Sequence, residues 1–388
     1  MFDERIDRRG SGSSKWDKME ELYGVSPDDG LAMWVADTEF RPPKPVSDTL
    51  HGMIDHGLYG YYVDQDAYPN AIAGWMKRRH AWSVDPAHIM TTNGIVNAVS
   101  LALHAFSQPG DGVVLFTPVY HAFARVTTAM GRKVIECELK DVNGHYELDF
   151  DAYGSQMDGT ARIAILCSPH NPGGRVWTQA ELEDVGAFCE RHDLLLISDE
   201  IHHDLTFSGH HHIPTEIACP NITDRLVTMV APSKTFNLGG LHTGNVVISD
   251  SALRSKYKAA ISALAIGTNT FSMKITEAVY THGDAWVDDL KTYIEENARI
   301  FDIGINSIPG IKSMVLESTY LSWVDFSGTG MSRKEFTERV QNSARIAANH
   351  GPTFGKGGEF FLRFNIGAPR SLVEEAVDRM QSAFADLQ

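Results

Sequence analysis

The sequence has 388 residues, of which 43% are hydrophobic and 22% are charged. This length predicts two lobes rather than one core, and the composition is that of an ordinary globular enzyme. The formal net charge of −16 and the lack of any block of lysines and arginines argue against a nucleic-acid-binding surface. Because no apolar run could span a bilayer and the first ten residues are charged rather than signal-like, we expect a cytoplasmic protein with no membrane partner.

The four cysteines show no CxxC spacing. Cys167 and Cys189 lie in apolar contexts, which favours reduced thiols in the core of a cytoplasmic protein over disulfides.

The N-terminal stretch to about Pro45 is rich in glycine, serine, proline and aromatic residues, which predicts an extended arm rather than a packed helix. Regular patterns begin near Pro69. Helices are predicted over Asn70–Trp82 and over Val96–Phe106, where apolar residues recur at helical spacing.

Short apolar strands and helices alternate through the middle of the chain. The continuous apolar character of the strands indicates that they are buried on both faces. This predicts an α/β fold with a mostly parallel sheet. Ligands of such a sheet gather beyond the carboxyl ends of its strands. The predicted strands are Gly112–Phe116, Arg162–Cys167, Leu194–Ile197, Leu226–Val230 and Asn245–Ile248, and the clearest helix is Gln179–His192.

The pattern changes from about Tyr280 onward, where a smaller α+β domain is predicted. Its elements are a helix at Trp286–Ile303, strands at Tyr320–Phe326 and Glu359–Phe364, and a closing helix at Leu372–Leu387. The expected organisation is an arm (1–45) that joins the small domain, a large domain (46–279) and the small domain itself (280–388).

Lys234 stands just after the apolar strand Leu226–Val230, beyond Pro232, which stops ladder pairing. An ammonium at the mouth of a buried strand is costly unless it is paired or forms an imine. Lysines that bond pyridoxal 5′-phosphate (PLP) occupy such places. A plain surface lysine after a strand explains this segment equally well.

Two further polar signals follow neighbouring predicted strands, at Asn171 and at Asp199. Asp199 can keep a pyridine nitrogen protonated, Asn171 can bond the ring oxygen, and Lys234 can form the imine and move protons. Alone, Asn171-Pro172-Gly173 is a generic turn and Asp199-Glu200 a generic helix start. Their joint occurrence favours a PLP site.

A phosphate site is predicted where a helix opens at Gly94, Ile95 and Val96, since backbone N–H groups there can face an anion. The Ser233 hydroxyl could add to it. A simple N-cap glycine remains the alternative for Gly94.

Nearly end to end, the chain resembles the fold-type I PLP enzymes of the class I/II aminotransferase superfamily, and within it the MalY/PatB-like cystathionine β-lyases (C–S lyases). The resemblance implies a seven-stranded, mostly parallel sheet in the large domain. The segments that carry it are Arg8-Arg9-Gly10, Lys15-Trp16-Asp17, Met33-Trp34-Val35-Ala36-Asp37, Gly60-Tyr61, Thr117-Pro118-Val119-Tyr120, Ser168-Pro169-His170-Asn171-Pro172, Ser198-Asp199-Glu200-Ile201-His202, Ser233-Lys234-Thr235-Phe236-Asn237, Thr319-Tyr320-Leu321-Ser322-Trp323 and Arg363-Phe364-Asn365-Ile366-Gly367.

The resemblance also implies roles in cofactor binding. Tyr120 would stack on the cofactor ring, and Tyr61 would reach the phosphate of the other subunit in a homodimer. His202 would lie near the ring oxygen, where many aminotransferases have a tyrosine. From the sequence alone, both tyrosines could equally be packing residues.

Substrate binding is implied for Arg363, Ala36 and Asn171. A planar guanidinium can grip an α-carboxylate bidentately, although Arg363 could instead be an outward-facing strand residue. Eight residues after Lys234, where many relatives place a phosphate-binding arginine, this chain has His242. That departure leaves the phosphate contact of His242 open.

The implied reaction is β-elimination of a thiol from L-cystathionine or a related L-cysteine S-conjugate, giving pyruvate and ammonia. Two alternatives stay open: transamination of an L-amino acid, and a regulatory or binding protein that keeps PLP. No metal is expected, because the five histidines within residues 202–212 fit no standard zinc spacing and a solvated loop explains them.

Overall fold

The computed structural model describes residues 1–61 and 66–387. Among them, no helix is both long and apolar enough to cross a membrane. The α-helices are α1 (Ser14–Asp17), α2 (Met19–Tyr23), α3 (Lys44–His56), α4 (Ala67–His80), α5 (Ile95–Phe106), α6 (Ala122–Ala129), α7 (Phe150–Gly154), α8 (Gln179–Arg191), α9 (Thr215–Ala218), α10 (Ser251–Ala263), α11 (Thr270–His282), α12 (Asp284–Asn306), α13 (Arg333–Glu338) and α14 (Arg370–Ala383).

The strands form one large sheet, one smaller sheet and two short pairs. They are β1 (Leu31–Ala32), β2 (Ile89–Thr92), β3 (Gly112–Thr117), β4 (Lys133–Glu138), β5 (Lys140–Asp141), β6 (Tyr146–Glu147), β7 (Ala161–Cys167), β8 (Leu195–Asp199), β9 (Leu226–Val230), β10 (Gly244–Val247), β11 (Lys312–Ser313), β12 (Leu321–Asp325), β13 (Ile346–Ala347), β14 (Asn349–His350) and β15 (Phe361–Asn365).

The large sheet has seven strands in the order β2–β10–β9–β8–β7–β3–β4. Every neighbouring pair from β9 to β4 is parallel, whereas β10 runs antiparallel to both β2 and β9. Strands β3 and β9 are buried at every position, as expected for a sheet covered by helices on both faces. The predicted α/β fold with a mostly parallel seven-stranded sheet is confirmed.

The C-terminal part contains the smaller antiparallel sheet, in the order β11–β12–β15–β14. Helices α12 and α14 pack against each other beside it. The arm reaches this part, because β1 pairs in parallel with β13 and the Asn365 N–H donates to the Met33 carbonyl (2.8 Å). The domain boundaries at residues 45 and 279 stay a prediction.

Three expectations about local structure were wrong. The arm contains α1 and α2 rather than extended chain only; Gly24, with a φ of 66°, ends α2 in the left-handed region. Strands β2 and β4 were missed because they are the two edge strands, and β4 has the half-exposed pattern of such a strand rather than a continuous apolar run. The closing helix ends at Ala383, and a 3₁₀ turn (Ala385–Leu387) follows.

All four cysteines are buried and unbonded, as predicted for core thiols.

Candidate active site

The carboxyl ends of β7, β8 and β9 meet above a cavity of about 280 Å³. The parallel register sets Cys167 beside Asp199 and Asp199 beside Met229, so the segments that follow these strands converge. Sequence-predicted residues that line the cavity are Ala36, Gly94, Ile95, Val96, Tyr120, Asn171, Asp199, His202, Ser233, Lys234 and His242.

Lys234 lies in the turn after β9, with its amine at the cavity. Its Nζ donates to the Ala36 carbonyl oxygen at 2.6 Å, and that oxygen also accepts the Tyr320 hydroxyl (3.1 Å). Burial, helped by the positive charge of Arg363, lowers the pKa of Lys234 to about 8. A substantial share of the amine is therefore neutral near physiological pH, which is the form that attacks a carbonyl or removes a proton.

Asp199 is the last residue of β8 and is buried. Its Oδ1 accepts the Ile201 N–H (3.1 Å), and it forms no ion pair with any residue in 1–61 or 66–387. Burial raises the pKa of Asp199 to about 7, although the nearby Lys234 charge opposes this. Such a carboxyl group is suited to accept a hydrogen bond from a protonated group of a bound ligand.

Asn171 lines the cavity, and Arg363, which does not line it, is hydrogen-bonded to Asn171. Arg363 Nη1 donates to Asn171 Oδ1 (3.0 Å), and Nη2 donates to the Trp34 carbonyl oxygen (2.7 Å). The guanidinium lies 5.1 Å from the ring centroid of Phe354. Arg363 is only 2% exposed, so the alternative of an outward-facing strand residue was wrong.

The charge of Arg363 is not neutralised by any carboxylate in the described part of the chain, and its buried Nε has no acceptor there. Burial lowers the pKa of Arg363 to about 10. A buried cation with a spare N–H is a site for an anion such as a substrate carboxylate.

The N-terminus of α5 faces the cavity. Gly94 caps this helix with a φ of 92°, a conformation that disfavours any side chain, and the space its Cβ would take is open. The first hydrogen bond within the helix runs from the Ala98 N–H to the Gly94 carbonyl oxygen (3.0 Å). The N–H groups of Ile95 and Val96 come before it and are not used within the helix. These groups, with Ser233 and His242 on the cavity wall, can hold a phosphate.

Tyr120 and His202 lie on the wall beside Asn171 and Asp199. Burial raises the pKa of Tyr120 and lowers that of His202 well below its usual value, so both are neutral. His202 is 2% exposed, and its Nδ1 has no partner within the described ranges. An unpartnered ring nitrogen at a cavity is available to a ligand.

Tyr61 is the predicted site residue that the structure places elsewhere. Its side chain is fully exposed, and it lines a separate surface cavity with Leu58, Thr270 and Lys274. Tyr61 does not line the cavity of Lys234, and its phosphate contact across a dimer stays a prediction.

The five histidines of residues 202–212 do not share one solvated loop, because only His210 (half-buried) and His211 (exposed) reach solvent. His202, His203 and His212 are buried, and the last two pair with Asp204 and Glu200 respectively. His80, distant in sequence, joins His203 and Asp204 in a group whose ligand atoms lie within 4.8 Å of one another.

Several contacts around the site carried no sequence signal. The carbonyl groups of Ala36 and Trp34 accept from Lys234 and Arg363, but a backbone acceptor is not visible in a residue type. Tyr320 lay within a recognised segment without an assigned role, and Phe354 carried no assignment.

Pyridoxal 5′-phosphate fits these residues. The buried Asp199 carboxyl group suits the pyridine nitrogen, Lys234 the aldehyde, and the open space at Gly94 a phosphate on the α5 N-terminus. The donor set therefore offers one complementary group to each polar part of this cofactor.

Comparison with known proteins agrees with the geometry. A sequence model of the family described as aminotransferase class I and II matches residues 52–380. Cystathionine beta-lyase PatB of Bacillus subtilis (strain 168) is 38% identical over 387 residues, covering 99% of this chain and 100% of that protein.

Two solved structures are similarly close. Cystalysin from Treponema denticola, which contains a pyridoxal 5′-phosphate cofactor, has a TM-score of 0.95 and 35% identity, covering 100% of this chain and 99% of that one. The PLP-bound C–S lyase from Staphylococcus hominis has a TM-score of 0.92 and 28% identity, covering 99% and 98% respectively. The similarity thus extends over nearly the whole chain.

Proposed function

Since this chain belongs to the class I and II aminotransferase family, we propose that it cleaves the Cβ–S bond of L-cystathionine or a related L-cysteine S-conjugate. It is a PLP-dependent C–S β-lyase with the fold-type I architecture. With cystathionine, one water is consumed and homocysteine, pyruvate and ammonia are formed. The observation that carries the proposal is the convergence of Lys234, Asp199 and Asn171 on one cavity, with Arg363 hydrogen-bonded to Asn171.

Arg363 would bind the substrate α-carboxylate. Its unneutralised charge and spare Nε–H provide the attraction, and the Asn171 and Trp34 acceptors fix the plane of the guanidinium. A buried guanidinium discriminates strongly against amines that lack a carboxylate, because binding them leaves the charge unpaired.

Lys234 would hold the cofactor covalently and, once released by the substrate amine, would remove the Cα proton. Pyridoxal 5′-phosphate supplies, when bound, a conjugated ring that accepts the electron pair left at Cα. The lowered pKa of Lys234 keeps its amine partly unprotonated, as a general base requires. The Ala36 carbonyl, 2.6 Å from Nζ, orients that amine.

Asp199 would keep the ring nitrogen protonated, and Asn171 would donate to the ring oxygen. Burial makes the ionised form of Asp199 costly. A pyridinium N–H beside the carboxylate would offset that cost. Loss of the thiolate from Cβ completes the elimination, and the three-carbon fragment hydrolyses to pyruvate and ammonia.

We also propose a homodimer in which Tyr61 of each subunit serves the other subunit's phosphate site. Ile54 (61% exposed), Leu58 (75%) and Tyr61 are apolar or aromatic side chains left in solvent close together in sequence. Exposed apolar clusters of this kind mark interaction surfaces.

The test is release of pyruvate from L-cystathionine with no 2-oxo acid present. Lys234→Ala is expected to lower the rate about 10³-fold, as loss of a general base does. Lys312→Ala, which removes an exposed lysine of β11, is the matched control and should retain full activity.

Two results would contradict the proposal. Conversion of L-cystathionine to its own 2-oxo acid, only with an added 2-oxo acid acceptor and without release of pyruvate, would make the protein an aminotransferase. Retention of PLP without any turnover of cysteine S-conjugates would indicate a regulatory or binding protein.

A further inference from the structure

A buried polar network lies directly behind the Lys234 turn, and its centre is Asp204. This carboxylate is completely shielded from solvent. Oδ1 accepts the Trp75 indole N–H (3.0 Å) and lies 2.8 Å from His80 Nε2, while Oδ2 accepts the Thr235 hydroxyl (2.8 Å) and lies 3.2 Å from His203 Nε2. A single side chain thus joins groups from α4, from the turn after β8 and from the turn after β9.

The two turns that Asp204 joins carry Lys234, Asp199 and His202, three residues of the cavity wall. Asp204 belongs to the turn that begins at Asp199 and contains His202, and backbone bonds from His203 to Glu200 (3.0 Å) and from Leu205 to His202 (2.9 Å) shape it. Thr235 directly follows Lys234. The Thr235–Asp204 bond therefore ties the backbone at Lys234 to the turn that holds Asp199.

The Lys234 turn is tied on its other side by Asn237. The Asn237 side chain accepts from the Thr38 N–H (3.1 Å) and donates to the Thr38 and Phe40 carbonyls (2.9 Å each). Thr235 thus bonds the turn to Asp204, in the turn after β8, and Asn237 bonds it to the arm. Removing one anchor leaves the turn attached by the other.

The charges in the network make the Thr235 bond a strong one. The adjacent His203 imidazole lowers the pKa of Asp204 well below its usual value, and Asp204 raises the pKa of His203. The carboxylate therefore stays ionised although it is buried. A hydroxyl that donates to an ionised carboxylate forms a stronger bond than one that donates to a neutral acceptor.

His80, His203 and Asp204 could in principle hold a metal ion. However, both oxygens of Asp204 already accept hydrogen bonds from Trp75 and Thr235, and Oδ1 is also hydrogen-bonded to His80 Nε2, whereas the 3.2 Å contact of Oδ2 with His203 Nε2 is an ion pair without hydrogen-bond geometry. The contacts therefore favour a network of hydrogen bonds over a metal centre.

We propose that Asp204 is a positioning residue that, through Thr235, fixes the amine of Lys234 relative to Asp199 in the cavity. The inference rests on the proposed role of Lys234 as the residue that bonds the cofactor aldehyde. Neither Asp204 nor Thr235 lines the cavity. Both act through the backbone of the turn.

The experiment compares two cofactor forms on full-length protein stripped of cofactor. PLP can bond Lys234, whereas pyridoxamine 5′-phosphate has no aldehyde and uses only the other contacts. Thr235→Val removes the hydroxyl and should weaken PLP binding about tenfold, the effect of one hydrogen bond to a charged acceptor, with pyridoxamine 5′-phosphate binding unchanged. Thr235→Ser restores the hydroxyl and should rescue PLP affinity.

Thr228→Val is the matched control. Thr228 is equally buried on β9, but its hydroxyl has no partner in the part of the chain described, so this change should leave both affinities as they are. Asp204→Asn presents an amide to several donors at once and should show the PLP-selective loss together with a lower melting temperature.

The proposal is overturned if Thr235→Val weakens both cofactor forms equally or neither, if Thr235→Ser fails to rescue, or if the purified protein carries stoichiometric metal bound through His80. Lys234→Ala separates the two hypotheses. If Lys234→Ala binds PLP as tightly as the unaltered protein, the role of Lys234 itself fails. If only the Thr235 prediction fails, Lys234 keeps its role and Asp204 is merely structural.

Discussion

The inner wall of the site (Asn171, Asp199 and Lys234, together with Arg363 hydrogen-bonded to Asn171) and the surface segment of residues 54–61 differ in the kind of side chain they present. The inner wall is made of charged and amide groups that are held by backbone carbonyls, a backbone N–H and one another. The surface segment presents apolar and aromatic side chains to solvent, with Tyr61 fully exposed.

This contrast shows which part of the site one chain completes alone. Burial shifts the pKa values of Asp199, Lys234 and Arg363, so the inner wall has its chemical properties without any partner. The surface segment gains a role only when another molecule covers it. Perturbing the inner wall should therefore alter chemistry and electrostatics, whereas perturbing the segment should alter assembly.

The largest expected effect concerns Asp199 in the cofactor-free protein. Its usual pKa is 3.8, and burial raises this to about 7. Between these values the folded chain keeps a proton that the unfolded chain releases, so the free energy of unfolding contributed by Asp199 is fully present below about pH 4 and falls as pH rises to 7. The loss is at most about 4 kcal/mol, at about 1.4 kcal/mol for each unit of pKa shift.

Asp199→Asn removes this titration, and denaturant unfolding of both proteins between pH 4 and pH 7 measures it. The difference in unfolding free energy, wild type minus variant, should decrease as pH rises. A difference that stays constant over this range would show that Asp199 is already ionised in the fold, and the inner wall would lose its distinctive electrostatics.

The second effect is on substrate binding. Arg363→Gln should lower kcat/KM for an L-cysteine S-conjugate about 100-fold, because truncating a buried, hydrogen-bonded charge partner costs about 2–5 kcal/mol. Arg162→Gln is the control, since Arg162 is an exposed arginine of β7 whose donors bind the Gly159 and Ala161 carbonyls. Equal losses in the two variants would mean that Arg363 is structural rather than a carboxylate site.

The positions of the inner-wall residues illustrate what the sequence can predict. Asn171, Asp199 and Lys234 each follow a continuous apolar strand, and parallel strands end at one edge, so their convergence follows from periodicity and topology together. The sequence signals at Gly94 and at Ser233 were each unspecific alone, but both residues line the same cavity.

What could not be predicted depends on contacts between distant residues. The Asn171–Arg363 bond joins positions 192 residues apart, and the His80–Asp204 contact joins positions 124 apart. The carbonyl acceptors at Ala36 and Trp34 are properties of chain path, since every residue has a carbonyl group. The edge strands β2 and β4 were not predicted, because partial exposure weakens the apolar pattern of their sequences.

The third effect tests the surface segment. Leu58→Asp places a charge in the proposed interface and should shift the protein from dimer to monomer in sedimentation analysis. Tyr61→Phe removes only the hydroxyl and should weaken PLP binding about tenfold while leaving the dimer intact. Tyr59→Phe keeps the ring contact with Phe271 (5.6 Å between centroids) and serves as the control. A monomeric wild-type protein with full PLP affinity would refute the role of this segment.

The smallest effect belongs to His242, which lines the cavity and is exposed to solvent. Its φ of 52° is left-handed, so His242→Ala would combine backbone strain with loss of the imidazole. His242→Asn tolerates that backbone and removes the imidazole alone, and His242→Gly removes it without strain.

If His242 contacts the phosphate, both variants should weaken binding of pyridoxamine 5′-phosphate about threefold, the size of an exposed charge–dipole contribution. The loss should shrink as salt is added, because an exposed contact is screened. Unchanged binding in both variants would leave the α5 N-terminus and Ser233 as the phosphate contacts from this chain. The weight of phosphate binding would then shift to Tyr61, and cofactor affinity should depend more steeply on dimer formation.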